Sequence, residues 1–436
     1  MKAAVIGAGL AGCEAAWQLN KAGIKVDLYE MKPTKHSPAH KSDNFAELVC
    51  SNSLKAERLN SAAGLLKAEM SELDSVCVSA AKKTAVPAGG ALAVDRELFS
   101  SLITEQIKSS ENINVIEKEV AELPEADVVI IAAGPLASDS LSQTIKSFCG
   151  EGLSFYDAAA PIVSADSIDM DFAFTQSRYD RGGDDDYINC PMNKEEYEAF
   201  YEAIIGAESA ELHTFDKRKD VYEGCMPIEV LASRGKDTMR YGPLKPVGLV
   251  NPKTGHRPWA NLQLRKENSQ GTMYNLVGFQ TNLKFAEQKR VFSMFPALHN
   301  AEFLRYGVMH RNTFINSPKL LNSDFSMRKN EKIFFAGQIT GVEGYMESAA
   351  AGILAGLNAA RKLKGKQTVT LPETTMMGAL SRYISDETVT NFQPMGANFG
   401  VLPPLSEKIR EKSERYMALA KRSMYDLERF KGENGI

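Results

Sequence analysis

Short apolar runs alternate along the chain with segments of helical spacing. The first run leads into residues 5–12, and a second, Val26–Tyr29, follows one helix length later. Two further segments, Ala126–Pro135 and Lys332–Gly337, each carry an apolar run that ends in a glycine turn. Continuous apolar runs of this length are typical of parallel strands buried on both faces. The pattern therefore predicts an α/β fold built on a parallel sheet.

The first apolar run leads directly into V-I-G-A-G-L-A-G at residues 5–12. Two of its glycines turn the chain tightly and let the backbone approach a pyrophosphate, and the third lets the next helix pack closely. The N-terminal N–H groups of that helix would face the phosphates, and an acidic residue that ends the second strand would hold ribose hydroxyls. We therefore predict a dinucleotide site at Gly7, Ala8, Gly9, Leu10, Ala11, Gly12 and Glu30.

A second glycine-rich junction indicates which dinucleotide binds. Residues 332–337, K-I-F-F-A-G, run into a helix start rich in small residues. Two-part flavoproteins of the glutathione-reductase type use such a late strand-to-helix junction to cradle the flavin end of the cofactor. V-D-R at Val94–Arg96, which opens a predicted helix, is another feature of that group. FAD is the expected cofactor, with further contacts predicted at Arg96, Gly337, Gln338, Gly341, Gly344 and Tyr345.

These motifs divide the chain into three segments. Residues 1–150 and 305–436 carry the two parts of an FAD-binding domain, and the second part ends in helices. Residues 151–304 are rich in strand and turn signals, lack a dinucleotide motif and form a predicted inserted domain. The expected fold class is α/β, a two-part Rossmann-like FAD-binding domain of the glutathione-reductase type with an inserted α+β domain.

The formal net charge of −4 conceals an uneven distribution. Residues 184–211 carry nine acidic residues and one basic residue, whereas residues 215–290 carry fourteen Lys and Arg against seven acidic residues. A basic patch interleaved with aromatic residues fits RNA, and it equally fits solvated strand edges. The amphipathic segment 405–431 fits a packing helix, an oligomer contact or a second RNA contact. Contacts to the RNA backbone are predicted at Lys217, Arg218, Arg234, Lys245 and Arg257.

Composition limits the class of protein further. No stretch approaches the roughly 18 uninterrupted apolar residues of a membrane span, and the N-terminus reads as a strand rather than a signal peptide. The six cysteines form no C-x-x-C pair, and the six histidines show no metal-ligand spacing. We expect a cytoplasmic protein with reduced thiols, no metal, no membrane contact and no protein partner implied.

Two cysteines lie in polar, loop-like settings. Cys50 lies in E-L-V-C-S-N-S-L and Cys225 lies in Y-E-G-C-M-P-I-E. Neither belongs to an apolar periodic face, where an inert cysteine is usually found. Both are candidate reactive thiols, and the alternative for each is an unreactive structural thiol. The other cysteines are interpreted as structural, namely Cys13, Cys77, Cys149 and Cys190.

Several motifs together resemble the folate- and FAD-dependent tRNA (uracil-5)-methyltransferase family, a smaller relative of the glucose-inhibited-division-protein-A group. They are G-A-G-L-A-G, F-A-E-L-V-C-S-N-S-L, V-P-A-G-G-A-L-A-V-D-R, Y-E-G-C-M-P-I-E and A-G-Q-I-T-G-V-E-G-Y-M-E-S-A-A. The resemblance extends over nearly the whole chain. The one difference at a motif position, Tyr222 in place of phenylalanine, is conservative.

The resemblance implies methylation of carbon 5 of the T-loop uridine in tRNA. Methylenetetrahydrofolate would donate a methylene unit, reduced FAD would supply two electrons, and NAD(P)H would reduce FAD again. Cys225 would add to carbon 6 of the base, and Cys50 would act as an acid, a base or a trapping group near the flavin, with exchange of the two roles left open. Tyr345 is expected to stack near the flavin.

Two alternatives stay open at this level. The same chemistry on a ribosomal RNA uridine would use the same residues. A flavin-binding RNA scaffold without turnover would need neither cysteine. A flavin monooxygenase or a thiol oxidoreductase is disfavoured, because neither requires a basic insert and the latter normally carries C-x-x-C.

Overall fold

The computed structural model describes residues 1–37, 39–150, 153–158, 160–180, 183, 186–210, 226–268, 270–307, 309–389 and 392–436, with only the backbone for 153–158, 180 and 309–313. The first part of the chain forms strands β1 (Lys2–Ile6), β2 (Lys25–Glu30), β3 (Ser53–Ala56), β4 (Ala85–Val86), β5 (Ala91–Val94), β6 (Ile113–Glu117) and β7 (Val128–Ile131). Its helices are α1 (Leu10–Lys21), α2 (Ala62–Glu72), α3 (Val76–Lys83), α4 (Arg96–Lys108) and α5 (Asp139–Cys149).

The middle of the chain forms β8 (Leu153–Ala158), β9 (Ile162–Ser164), β10 (Phe174–Thr175), β11 (Tyr187–Met192), β12 (Ala260–Lys266), β13 (Met273–Leu276) and β14 (Phe303–Arg305), with α6 (Lys194–Ile205), α7 (Ile228–Ser233), α8 (Thr238–Tyr241) and α9 (Phe285–Phe292). The last part forms β15 (Met309–Phe314), β16 (Ser326–Met327) and β17 (Asn330–Phe335), with α10 (Ser317–Leu320), α11 (Tyr345–Leu363), α12 (Met376–Tyr383) and α13 (Lys412–Asn434).

The first and last parts of the chain share one sheet, in the order β16-β17-β7-β1-β2-β6. All its neighbouring strands run parallel except the pair β16 and β17. Ile6 lies opposite Tyr29 on one side and Ile131 on the other, and Ile131 lies opposite Phe335. The carboxyl ends of β1, β7 and β17 therefore meet at one edge, where parallel α/β sheets bind their ligands.

The middle of the chain builds a second, antiparallel sheet, in the order β10-β11-β12-β13-β9-β14. Its own core contains Phe200, Phe279 and Phe295, whose rings lie 5.0 to 6.2 Å apart. β8 pairs antiparallel with β15, so the chain enters and leaves this region along one two-stranded ribbon. The two sheets confirm the predicted α/β class with an α+β insert, and the limits 151–304 stay a prediction.

Small residues let α1 and α11 approach each other closely. A Cβ atom added to Gly352 would lie 2.2 Å from the carbonyl oxygen of Ala11, and one added to Gly356 would lie 2.6 Å from that of Ala15. Gly12 packs in the same way on the turn before α1, where an added Cβ would lie 1.7 Å from the Gly7 oxygen. This contact fixes the N-terminus of α1 beside that of α11.

The C-terminal helix is attached through a buried carboxylate on α2. Glu69 accepts hydrogen bonds from the backbone N–H groups of Met376 and Met377 at 2.7 and 2.8 Å, which begin α12. It also accepts the Ser423 hydroxyl of α13 at 2.6 Å. Burial raises the pKa of Glu69 to about 7, although these hydrogen bonds favour the ionised form. One side chain thus joins three helices.

The close approach of α1 and α11 makes the substitution Gly352→Ala destabilising. The added methyl group would force the helices apart, at a cost of about 1–3 kcal/mol in the free energy of unfolding. Gly432→Ala in α13 is the matched control, because an added Cβ there has no neighbour within 4 Å. Denaturant unfolding of both variants measures the difference, and equal stability of the two would contradict the close packing.

The buried Glu69 gives the protein a pH-dependent stability. Its folded-state pKa lies above its ordinary value, so its contribution is fully present below about pH 4.5 and is lost as pH rises through about 7. We expect the free energy of unfolding to fall more between mildly acidic and mildly alkaline pH in the native protein than in Glu69→Gln, which cannot titrate. Equal slopes for the two proteins would show that Glu69 is ionised throughout.

Candidate functional site

A cavity of about 410 Å³ opens where the two parts of the first domain meet. That volume lies within the usual range for small-molecule and cofactor sites. The N-termini of α1 and α11 both point into the cavity, and the loop around Cys50 forms part of its wall. The predicted cofactor residues that line the cavity are Gly7, Ala8, Gly9, Leu10, Ala11, Glu30, Gly337, Gln338, Gly344 and Tyr345.

The three fingerprint glycines have different surroundings. Gly7 has φ +98°, and an added Cβ would lie 2.7 Å from the carbonyl oxygen of Ala132 on the neighbouring turn. Gly12 packs on the protein, as described above. Gly9 begins α1, and an added Cβ there would meet nothing within 4 Å. The backbone at Gly9 is therefore open to the cavity, where a pyrophosphate can approach the helix N-terminus.

Glu30 ends β2 on the opposite side of the fingerprint turn and is 7 % exposed. One carboxylate oxygen accepts the Ala8 N–H at 2.8 Å and the other accepts the Lys32 N–H at 3.0 Å. A carboxylate oxygen has more than one lone pair, so each can also accept a hydroxyl from a ligand. The position fits the ribose of a dinucleotide.

The second predicted junction surrounds the start of α11. Gly337 has φ +83°, and an added Cβ would lie 2.9 Å from the Ala11 side chain, which joins this turn to α1. Gly341 lies outside the cavity lining and packs against Phe392. Lys55 and the buried Glu347 pair at 2.9 Å beside Gly344, a contact that sequence reasoning missed.

Arg96 occupies a different position from the one expected of a cofactor ligand. The V-D-R segment does open α4, with Asp95 as its N-cap. Arg96 is not among the described residues that line the cavity. Its guanidinium forms two hydrogen bonds with Glu267, at 3.1 and 3.2 Å, and donates to the Leu48 carbonyl at 2.6 Å. Arg96 therefore supports the loop that forms part of the cavity wall.

Cys50 and Tyr345 form the reactive side of the cavity. The Tyr345 hydroxyl oxygen lies 2.9 Å from the Cys50 sulfur and accepts the backbone N–H groups of Cys50 and Ser51 at 2.8 and 3.3 Å. With both N–H groups directed at the oxygen, the hydroxyl proton is left for the sulfur. Burial, followed by the nearby Cys50, raises the pKa of Tyr345 well above its ordinary value. Tyr345 thus retains its proton and can donate it in a hydrogen bond to a thiolate.

The other cysteines differ from Cys50. Cys13, Cys77 and Cys190 are buried, and burial raises the pKa of each thiol. Burial also raises the pKa of the half-buried Cys149 to about 12. These values favour the thiol over the nucleophilic thiolate. Cys225 lies outside the described residues.

The predicted RNA contacts are only partly within the described residues. Lys217 and Arg218 lie outside them. Arg234 and Arg257 are exposed and Lys245 is half-buried. The exposed Tyr241 follows Arg240, whose guanidinium lies 3.9 Å from the ring centre of Trp259. This aromatic and basic surface of the insert was not singled out residue by residue in the sequence.

In the part of the chain that the structure describes, no helix is both long and apolar enough to cross a membrane. Among those same residues, no group of three or more His, Cys, Asp or Glu side chains is arranged to hold a metal ion.

The parallel sheet, the open glycine turn and the second helix N-terminus at one cavity define a two-part dinucleotide-binding protein. Residues 2–367 match the family described as Glucose inhibited division protein A, and the chain belongs to that family. The solved structure of Aquifex aeolicus GidA aligns with 98 % of this chain and 73 % of its own at a TM-score of 0.69. At 16 % identity, that likeness shows the fold alone.

Curated relatives lie much nearer in sequence. The protein of Acetivibrio thermocellus named methylenetetrahydrofolate--tRNA-(uracil-5-)-methyltransferase TrmFO is 59 % identical over 98 % of both chains. Proteins of the same name from Heliobacterium modesticaldum and Lactobacillus johnsonii are 57 % and 56 % identical, each over at least 98 % of both chains. The family resemblance found in the sequence is confirmed.

The position of Glu30 predicts its contribution to cofactor binding. Glu30→Gln would replace one accepting oxygen with an NH₂ group that meets N–H donors, and loss of a charged hydrogen bond costs about 1.5–3 kcal/mol. We expect FAD to bind at least roughly tenfold more weakly. Glu117→Gln, the same change opposite Glu30 on β6, is the control. Fluorescence titration of apoprotein with FAD measures both, and equal affinities would exclude this role.

Proposed function

We propose that this chain methylates carbon 5 of the T-loop uridine of tRNA, with methylenetetrahydrofolate as the one-carbon donor and reduced FAD as the reductant. The observation that carries the proposal is the position of Cys50 on the wall of the dinucleotide cavity, within hydrogen-bond distance of Tyr345. The fold supports many flavoprotein activities, so a thiol at the cofactor is the informative feature. Relatives 55–59 % identical carry the name of this reaction.

Different residues of the cavity suit the pyrophosphate, the ribose and the flavin end of FAD. The open backbone at Gly9 and the start of α1 suit the pyrophosphate, and Glu30 suits the ribose. The turn at Gly337 and the start of α11 suit the flavin end. When bound, reduced FAD supplies the two electrons that convert a methylene unit into a methyl group. We further propose NAD(P)H as the source of those electrons.

The addition to the base and the acid or base role are assigned to the two cysteines. Carbon 5 of uracil is a weak nucleophile until a group adds to carbon 6, and a thiolate is suited to that addition near neutral pH. We assign the addition to Cys225. Cys50 then serves as the acid or base beside the cofactor, because its sulfur faces the cavity and the Tyr345 hydroxyl can stabilise the thiolate.

The inserted domain would hold the RNA. A uridine in a folded tRNA loop must leave its stack before a ring atom can react. Contacts to phosphates would position the RNA without selecting the base. The residues proposed for them are Lys217, Arg218, Arg234, Lys245 and Arg257. The cytoplasmic location expected from the sequence stays a prediction.

One transfer experiment tests the reaction. The flavin-loaded protein is incubated with unmodified tRNA transcript, methylenetetrahydrofolate labelled on its one-carbon unit and NADPH, without S-adenosylmethionine. We expect label in 5-methyluridine of the T-loop. Label only in ribosomal RNA would overturn the choice of substrate. No label in either RNA would overturn the methyltransferase proposal and leave a flavin-binding scaffold.

Substitution of the two cysteines tests their roles. We expect Cys50→Ala and Cys225→Ala to lose at least about 100-fold in product formation, in line with the loss of a general acid, base or nucleophile. Both variants should keep bound flavin. Cys149→Ala removes a half-buried thiol from the same domain and should retain activity. Full activity of either first variant would remove that cysteine from the mechanism.

A further inference from the structure

The segment Leu48–Asn52, here called the cysteine loop, is held by guanidinium groups on both sides of Cys50. Arg96 donates to the Leu48 carbonyl at 2.6 Å, and Arg305 donates to the Val49 carbonyl at 2.6 Å. Arg265 donates to the side-chain oxygens of Ser51 at 2.9 Å and Asn52 at 3.0 Å. Three arginines thus contact the residues that flank Cys50 within five consecutive positions.

The three arginines come from one helix and from the antiparallel sheet. Arg96 is the first residue of α4, beside the parallel sheet, whereas Arg265 lies on β12 and Arg305 ends β14 of the antiparallel sheet. The Asn52 side chain also donates to the Lys266 carbonyl of the antiparallel sheet at 2.8 Å. The cysteine loop is therefore attached both to the antiparallel sheet and to the domain that carries it.

Charge in this cluster is unbalanced. Glu267, 2 % exposed, is the carboxylate paired with Arg96, and Arg265 is also buried. Burial is the largest cause that lowers the pKa of Arg265 and of Arg305. Guanidinium groups nevertheless stay protonated in proteins. Among the described residues around the loop, the three guanidinium groups thus lie near two carboxylates, those of Glu267 and Glu47, so positive charge is in excess.

We propose that Arg96, Arg265 and Arg305 act as a positioning clamp that fixes the cysteine loop and stabilises the thiolate of Cys50. The clamp rests on the proposed function only for the role of Cys50. Thiolates form preferentially beside cationic groups in partly exposed settings, and Cys50 is half-buried at the cavity. Since two of the three arginines lie on strands of the antiparallel sheet, the reactivity of the thiol depends on the docking of that sheet on the cofactor domain.

Other ionisable groups near the cluster define the background for a pH test. Tyr345 contacts the sulfur directly and keeps its proton, because burial raises its pKa. Glu47 and Tyr187 lie within electrostatic range of Arg305 and Arg265, respectively. Lys55 pairs with Glu347 across the cavity wall.

The rate of Cys50 alkylation by iodoacetamide, measured against pH by peptide mass spectrometry on the flavin-loaded full chain, tests the clamp. We expect the pH of half-maximal rate to rise by about one unit in Arg265→Gln and in Arg305→Gln. Arg265→Lys and Arg305→Lys, which keep the charge, should recover most of that shift. A role confined to folding would change stability and leave the pH midpoint in place.

Arg178→Gln is the matched control, since Arg178 is a half-buried arginine of the insert, in a turn after β10, whose partners are Gln263 and Val247. The clamp is overturned if the midpoint stays constant in the Gln variants, or if Arg178→Gln shifts it equally. Should a Gln variant lose its flavin, the Lys variant at that position decides, because the clamp predicts an alkylation midpoint near the native one for the variant that keeps the charge. The alkylation assay contains neither RNA nor folate, so its outcome is independent of whether the chain methylates tRNA.

Discussion

The close contact between α1 and α11 is the constraint on which the site depends. Glycine at positions 352 and 356 lets the two helices approach until an added Cβ would overlap a carbonyl oxygen of α1. Each helix follows a different parallel strand, and the contact brings both N-termini to one edge of the sheet. The partial positive charges of the two helices then act on the same ligand. A larger residue in this contact would separate the two parts of the cavity.

The Cys50 thiol lies on a loop that contacts both domains. The cysteine loop has no regular secondary structure, and its conformation is set by hydrogen bonds from α4, from the antiparallel sheet and from Tyr345. Loops positioned in this way by rigid elements commonly carry reactive groups. The arrangement links the proposed RNA-binding insert to the side chain that faces the cofactor. Arg265 and Arg305 are the physical connection.

Most of the cofactor residues predicted from local motifs line one cavity, and their contact with FAD stays a prediction. Gly7, Gly9 and Glu30 lie within one β-α-β unit, so their spacing alone determines their relative positions. The same holds for Gly337 and the start of α11. The fold class followed from these motifs, because parallel strands with glycine turns leave few alternatives. The spacing of residues within a motif was therefore sufficient to predict relative positions where those residues lie close together along the chain.

Contacts between residues far apart along the chain could not be predicted from the sequence. Arg96 belongs to a recognisable motif, but its partner Glu267 lies 171 positions away and comes from the other domain. Arg265 alternates with apolar residues on β12, and nothing in that pattern indicates Cys50 as its neighbour. Tyr345 was expected to stack, whereas its hydroxyl also contacts the cysteine loop, since the turn before α11 directs it there. Side-chain orientation of this kind depends on packing rather than spacing.

In the proposed reaction, electrons from flavin in this cavity convert the one-carbon unit into a methyl group on tRNA. The most direct measurement is a single turnover of chemically reduced protein, in the absence of oxygen and nicotinamide, with tRNA and methylenetetrahydrofolate. We expect the flavin to become oxidised as 5-methyluridine forms, with one methyl group for each flavin. Formation of 5-methyluridine while the flavin stays reduced would contradict the role of flavin as the reductant.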